Sequence, residues 1–177
     1  RWRGGLVMPK EPPSALEKAT RLLTAKSRSS AELRRKLAQA GYEAAEVDAA
    51  LEKLTRAGFL NDAQFARQFA RSRLASGKRS TRRVRDELRT KGLGAELVAE
   101  AVGDVTEDEG ISDAAAAESL ARRKASTLRG LDRQVARRRL YGMLARRGFS
   151  PDVIGRAVSK ALAEGDAGDD EPMSDDA

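Results

Sequence analysis

Leu33-Arg34-Arg35-Lys36-Leu37-Ala38-Gln39-Ala40-Gly41-Tyr42 sets two leucines four residues apart, then stops on a glycine and an aromatic residue. The same frame returns as Val84-x-x-x-Leu88-x-x-x-Gly92-Leu93 and again as Leu140-x-x-x-Leu144-x-x-x-Gly148-Phe149. Apolar residues four apart share one face of a helix, and the glycine suits a C-terminal cap that needs positive φ. The match continues beyond each glycine: Val47, Val98 and Ile154 stand six residues on, Ala50, Ala101 and Ala157 nine, and Leu51, Val102 and Val158 ten. Each block therefore reads as helix, glycine stop, helix.

The glycines are 51 residues apart (41 to 92) and then 56 (92 to 148), more than two helices need. A further helix is visible upstream of each block, over residues 15–26, 62–76 and 114–126; Ala15, Ala19 and Leu23 hold the same offsets from their glycine as Ala66, Ala70 and Leu74. The expected fold is all-α, with three tandem three-helix repeats forming an elongated, curved stack in which neighbours bury what no 50-residue unit can bury alone. With aromatics at 4% and charged residues at 34%, the apolar layers must be thin and built of Leu, Val and Ala. The expected boundaries are a disordered arm at 1–13, repeats at 14–60, 61–105 and 114–163, an acidic linker at 106–113, and a disordered acidic tail at 164–177.

The chain carries 34 basic and 27 acidic residues. Seven of the carboxylates lie in 164–177, so the body has 34 bases against 20 acids, a net +14 beside a tail of opposite sign. The cations cluster at Arg34-Arg35-Lys36, Lys78-Arg79, Arg82-Arg83-x-Arg85, Arg122-Arg123-Lys124, Arg137-Arg138-Arg139 and Arg146-Arg147. Arg82 and Arg83 hold the same repeat positions as Arg138 and Arg139, which predicts similar cationic edges on two repeats. Any one cluster reads more simply as a solvated helix face with local pairs from Glu17, Glu32, Glu52, Asp86 and Glu87. The whole excess exceeds what such pairing neutralises, and a polyanion is its natural partner. Lys78, Arg79, Arg82, Arg83, Arg85, Arg122, Arg123, Lys124, Arg137, Arg138, Arg139, Arg146 and Arg147 are the candidate binding residues.

Base stacking is poorly supported. Tyr42, Phe59, Phe65, Phe69 and Phe149 fall at apolar helical or helix-end positions and are expected in the core; only Trp2 and Tyr141 remain as candidate exposed rings. The helices expected at 44–54, 95–105 and 151–162 are poor in the Arg, Asn and Gln that read base edges, so binding should follow the phosphate backbone rather than the sequence.

No reaction centre emerges. With no histidine and no cysteine, the usual general base, the Ser-His-Asp arrangements, thiolate metal sites and disulfides are all absent from the repertoire. Asp62 after Asn61 reads as a helix cap, and Gly77-Lys78 lacks the earlier glycine and following Ser or Thr of a phosphate loop. No cofactor or metal is expected, nor a membrane segment, and the expected setting is the cytoplasm.

The run Gly58-Phe59-Leu60-Asn61-Asp62-Ala63-Gln64-Phe65-Ala66-Arg67, then Arg71-Ser72-Arg73-Leu74, Gly77-Lys78-Arg79 and Arg83-Val84-Arg85-x-Glu87-Leu88-x-x-Lys91-Gly92, resembles the central signature of the bacterial RecX family. Ala31-Glu32-Leu33-Arg34-Arg35-Lys36-Leu37 and Arg146-Arg147-Gly148-Phe149 look like that family's first and third repeats. The resemblance spans roughly 15 to 162. It implies a monomeric negative regulator of the RecA recombinase, without an active site, that lies in the groove of the RecA–DNA filament and suppresses filament growth, ATP hydrolysis and strand exchange. A nonspecific binder of single- and double-stranded DNA that merely competes for DNA is the alternative, and a helical scaffold with a solvated basic face is a third.

Overall fold

The computed structural model of the chain describes residues 12–166. The described residues form α-helices α1 (Ala15–Ala25), α2 (Ser30–Gln39), α3 (Ala44–Arg56), α4 (Asp62–Leu74), α5 (Thr81–Thr90), α6 (Ala95–Asp108), α7 (Asp113–Ala125), α8 (Arg133–Ala145) and α9 (Pro151–Asp166), with a 3-10 turn at Ser126–Leu128. They fall into two compact units divided between Phe65 and Ala66, inside α4.

In the first unit, Ser14 starts α1 by accepting from the Glu17 amide, while Glu17 accepts from the Ser14 amide. Ser29 and Glu32 open α2 with the same reciprocal pair; such boxes satisfy amides that the first turn leaves without helical partners. Gly41 ends α2 at φ 90°, the Tyr42 amide reaching the Leu37 carbonyl and the Gly41 amide that of Ala38. Gly92 and Gly148 stop α5 and α8 at φ 84° and 87° with the same two bonds. Leu33, Leu37, Val47, Leu51, Leu54 and Leu60 form the core, with fully buried Ala19 letting α1 come close. A buried leucine contributes about 1.5–3 kcal/mol, so Leu37→Ala would remove about 2–5 kcal/mol once the cavity is included.

In the second unit, α4 to α6 are built on Ala66, Ala70, Leu74, Val84, Leu88, Val98 and Val102, and α7 to α9 on Ala117, Ala121, Leu140, Leu144, Ile154 and Val158, all buried. The two triplets meet where the Ser80 amide donates to the Arg147 carbonyl at 3.1 Å. A Cβ on Gly148 would lie 2.8 Å from Arg83 Cβ and from Ser80 Oγ.

A second device recurs. Asp62 accepts from the Ser30 amide at 2.8 Å and the Ser30 hydroxyl at 2.5 Å; Asp113 accepts from the Thr81 amide at 2.9 Å and the Thr81 hydroxyl at 3.0 Å. Asp62 is a cap, as expected, but of α2. Its own helix is capped by Asn61, which accepts from the Gln64 amide.

Four expectations are corrected. The acidic linker at 106–113 is helical as far as Asp108, because the α4 arginines neutralise its neighbourhood: Arg67 meets Asp104 at 2.7 Å and Arg71 meets Glu109 at 2.5 Å. The acidic tail does not begin at residue 164, since α9 continues to Asp166 and Glu164 accepts from Arg122 at 2.8 Å; 167–177 lie outside the described residues. The expected arm at 1–13 is ordered at its end, where the Pro13 carbonyl accepts from the Tyr42 hydroxyl; 1–11, with Trp2, lie outside the described residues. Phe59 is not core: it is 74% exposed.

Candidate nucleic-acid interface

The thirteen cations named from sequence are not one stripe. On α5 and the loop before it, Arg79 and Arg83 turn inward to Glu87, at 2.9 and 3.4 Å, and Arg73 of α4 approaches the same carboxylate at 3.6 Å. Glu87 has a side chain only 18% exposed, so these pairs are better shielded than ordinary surface bridges. Lys78 and Arg82 stay exposed and Arg85 is half-buried. Beside them Phe69 is half-buried, with the Arg73 guanidinium 5.0 Å and the Lys91 ammonium 5.3 Å from its ring centroid. This cation–π cluster was missed from sequence, although the four-residue step from Phe69 to Arg73 was its signal.

The third triplet differs at one decisive position. Five residues before the terminal glycine, where the second triplet has Glu87, the third has Met143. Arg138 and Arg139, which match Arg82 and Arg83, therefore find no carboxylate on their own helix. With Arg146 at the C-cap of α8 and Lys124 at the end of α7 they line a concavity of about 340 Å3 that includes Gly142 and Met143 and no acidic residue. None of these four cations has a carboxylate partner among the described residues.

Local sequence explains the arrangement. Arg138, Gly142 and Arg146 are successive fourth residues on α8, so they share a face. A Cβ on Gly142 would lie 3.3 Å from Arg146 Nη1, and its absence gives the guanidinium room to lie over the helix. Glycine inside a helix costs about 1 kcal/mol relative to alanine. Lys124 joins from a helix C-terminus, where a cation is favoured by the backbone dipole; Arg123 is exposed there too.

The remaining candidates point elsewhere. Arg122 bonds Glu164, Arg137 lies with Arg133 beside Val158 and Leu162 of α9, and Arg147 is half-buried with its guanidinium on the Met143 sulfur. Next to the Arg122 pair, Lys160 donates to Glu118 at 2.7 Å. That bond, helped by the charges of Lys160, Arg122 and Arg156, holds the Glu118 carboxyl below the usual carboxylate range. Both pairs tie α7 to α9 and leave no free charge for a ligand.

A phosphate entering the α8 concavity would meet cations with no internal counter-charge and would displace only solvent ions. Tyr141 is 42% exposed on the same helix. Among the described residues, no helix is long and apolar enough to cross a membrane.

Three family descriptions match the chain in order. "RecX, first three-helix domain" covers 15–54, "RecX, second three-helix domain" 61–102, and "RecX, third three-helix domain" 112–158. Among curated relatives, the regulatory protein RecX of Amycolatopsis mediterranei is 35% identical over 81% of this chain and 80% of its own length. That of Mycobacterium avium is 39% identical over 81% and 82%. The crystal structure of RecX from Lactobacillus salivarius superposes with a TM-score of 0.70 at 17% identity, over 84% of this chain and 95% of that one. A crystal structure of a regulatory protein RecX gives 0.70 at 21% identity, over 82% and 71%. At such identities these two structures speak for the fold alone.

Proposed function

The chain belongs to the RecX family of regulatory proteins, and from that premise we propose that it restrains the RecA recombinase by binding the RecA filament on DNA. The observation that carries this reading is the acid-free concavity of Lys124, Arg138, Arg139 and Arg146, a cationic surface left without internal neutralisation in a family of regulators. Bound to neighbouring RecA protomers and to the phosphates they hold, the protein opposes addition and rearrangement of protomers. Filament growth, ATP hydrolysis and strand exchange all need those movements. The chain acts here as a ligand of the filament, in the cytoplasm where the filament forms, and not as an enzyme.

The same cations favour a second reading, in which the protein binds single- and double-stranded DNA by itself and competes with RecA for it. Salt separates the two, because phosphate binding falls steeply as counterions are added. The protein is titrated into RecA filaments at a salt concentration that abolishes its own binding to DNA, and RecA ATP hydrolysis is followed. Inhibition that persists supports filament binding; inhibition lost in step with DNA affinity leaves only competition.

A further inference from the structure

The three triplets treat one groove differently. In the second, first and third helices are joined across it by Arg67–Asp104 at 2.7 Å and Arg71–Glu109 at 2.5 Å. In the third, Glu118–Lys160 at 2.7 Å and Arg122–Glu164 at 2.8 Å occupy the corresponding positions, and the recess left at that end, about 320 Å3, has both residues of the latter pair in its wall. In the first triplet the positions of Arg67 and Arg71 are taken by Leu16 and Thr20, and those of Asp104 and Glu109 by Lys53 and Gly58. Among the described residues, no ion pair spans the groove between α1 and α3. It is open instead, a cleft of about 540 Å3, within the roughly 300–1,000 Å3 of pockets that bury a ligand.

Its wall is apolar in effect. Leu16 and Leu23 are only partly covered by the core beneath. The hydroxyls of Thr20 and Thr24 donate to the carbonyls of Leu16 and Thr20, at 2.8 and 3.0 Å, so neither needs a further partner. Phe59 stands at the rim, 74% exposed, and is the most exposed large apolar side chain among the described residues. Lys53 lines the same cleft and has no carboxylate partner among the described residues. Its equivalent in the third triplet, Lys160, is answered by Glu118, and Leu16 stands where that glutamate would be.

We propose that this groove docks an amphipathic helix of RecA whose apolar side chains fill the cleft against Phe59 and whose carboxylate pairs with Lys53, completing from outside the bridge that the other two triplets make internally. The proposal rests on the RecA reading above. A helix fits because helix-in-groove recognition uses an apolar row at i, i+3 and i+4, with charge at its edge, and α1 offers Leu16, Thr20, Leu23 and Thr24 at matching steps. The acidic edge follows from charge complementarity at Lys53.

Two variants and one cross-link test it. Leu16→Arg with Lys53→Asp copies the Arg67–Asp104 pair and closes the groove; Phe59→Ser removes an exposed ring with little consequence for folding. Circular dichroism checks the fold, anisotropy on DNA alone serves as control, and affinity for preformed RecA filaments is the readout. Each variant is expected to lose about tenfold or more in filament affinity while DNA affinity stays within twofold, one decade corresponding to a lost interaction of about 1.4 kcal/mol. A benzophenone-bearing phenylalanine in place of Phe59 should cross-link to a RecA helix with a carboxylate beside its apolar face. If the parent binds filaments and both variants bind equally well, the groove proposal fails while the RecA reading stands. If the parent does not bind filaments, both fail. A cross-link confined to this chain's own residues 1–11, or to a second copy of the chain, also overturns the proposal.

Discussion

Gly148→Ala should be much more damaging than Gly41→Ala, although both glycines end the middle helix of their triplet at nearly the same φ, 87° and 90°. At Gly41 an added Cβ meets nothing within 4 Å. Only the left-handed penalty applies there, about 1–2 kcal/mol, reduced by the lower chain entropy of alanine in the unfolded state by about 0.4–1 kcal/mol; the net is about 1 kcal/mol. At Gly148 the same Cβ would lie 2.8 Å from Arg83 Cβ and from Ser80 Oγ. Relief requires the end of α8 to withdraw from the start of α5, stretching the bond from the buried Ser80 amide to the Arg147 carbonyl. Losing that bond adds about 1–3 kcal/mol. The difference between variants is then about 2 kcal/mol, or about 4–8 °C in melting temperature for a chain of this size. Thermal melts followed by circular dichroism at 222 nm measure it, and hydrogen exchange at the Ser80 amide localises it. Equal melting temperatures, with that amide still protected, would refute a packed junction between the second and third triplets.

Three further outcomes are expected. Arg138→Gln with Arg139→Gln should lower the slope of log affinity for duplex DNA against log salt by about two units, whereas Arg82→Gln with Arg83→Gln should lower it by about one or less, since Arg83 is already engaged by Glu87; salt titrations showing equal losses would void the distinction between the two edges. Asp113→Ala should destabilise by about 0.5–2 kcal/mol in urea melts by leaving the first amide of α5 without its acceptor, and Asp62→Ala should do the same at α2; unchanged stability would mean that the clasps are incidental. The lowered carboxyl of Glu118 gives the Lys160 tie an acid limit: its contribution is complete above the unfolded carboxylate value of about 4.3, is lost as pH falls through the folded value, and, with no histidine in the chain, should not vary from about pH 6 to 7.5. Melts of Glu118→Gln and parent should therefore differ by a constant amount over that plateau and converge in acid; a gap that widens in acid would reverse the assignment.

The fold was legible because local signals agreed. Leucines or valine at a four-residue step, a glycine four residues beyond and a repeated second apolar set left one reading for Leu33–Gly41, Val84–Gly92 and Leu140–Gly148, and the Schellman bonds at all three glycines follow it. The misreadings share a physical origin: they concern residues whose state is set by a partner distant in sequence. A run of carboxylates at 104–109 looks like a linker until Arg67 and Arg71 are placed across from it. Glu164 looks like the first residue of a tail until Arg122 meets it. Asp62 reads as the cap of the helix it begins, yet its bonds go to Ser30, 32 residues back.

The excess of cations was legible in composition, but their distribution over the candidate surface was not. Repeat alignment equated Arg82 and Arg83 with Arg138 and Arg139, and by position the equation holds; the charges differ because the residue one turn further along is Glu87 in one triplet and Met143 in the other. The same reasoning applies at the groove between first and third helices, where the choice between Leu16 and Arg67, or Lys53 and Asp104, decides whether the groove is bridged or open. In a repeat protein the shared positions keep the scaffold constant, so function is carried by places where one copy lacks a partner that its siblings retain. By that criterion two surfaces stand out: the α8 concavity, which lacks the acid of its sibling and suits phosphate, and the α1–α3 groove, which lacks both bridges and suits a helix. They lie in different triplets and differ in chemistry, one cationic and one apolar, so the two proposals can be tested by separate variants.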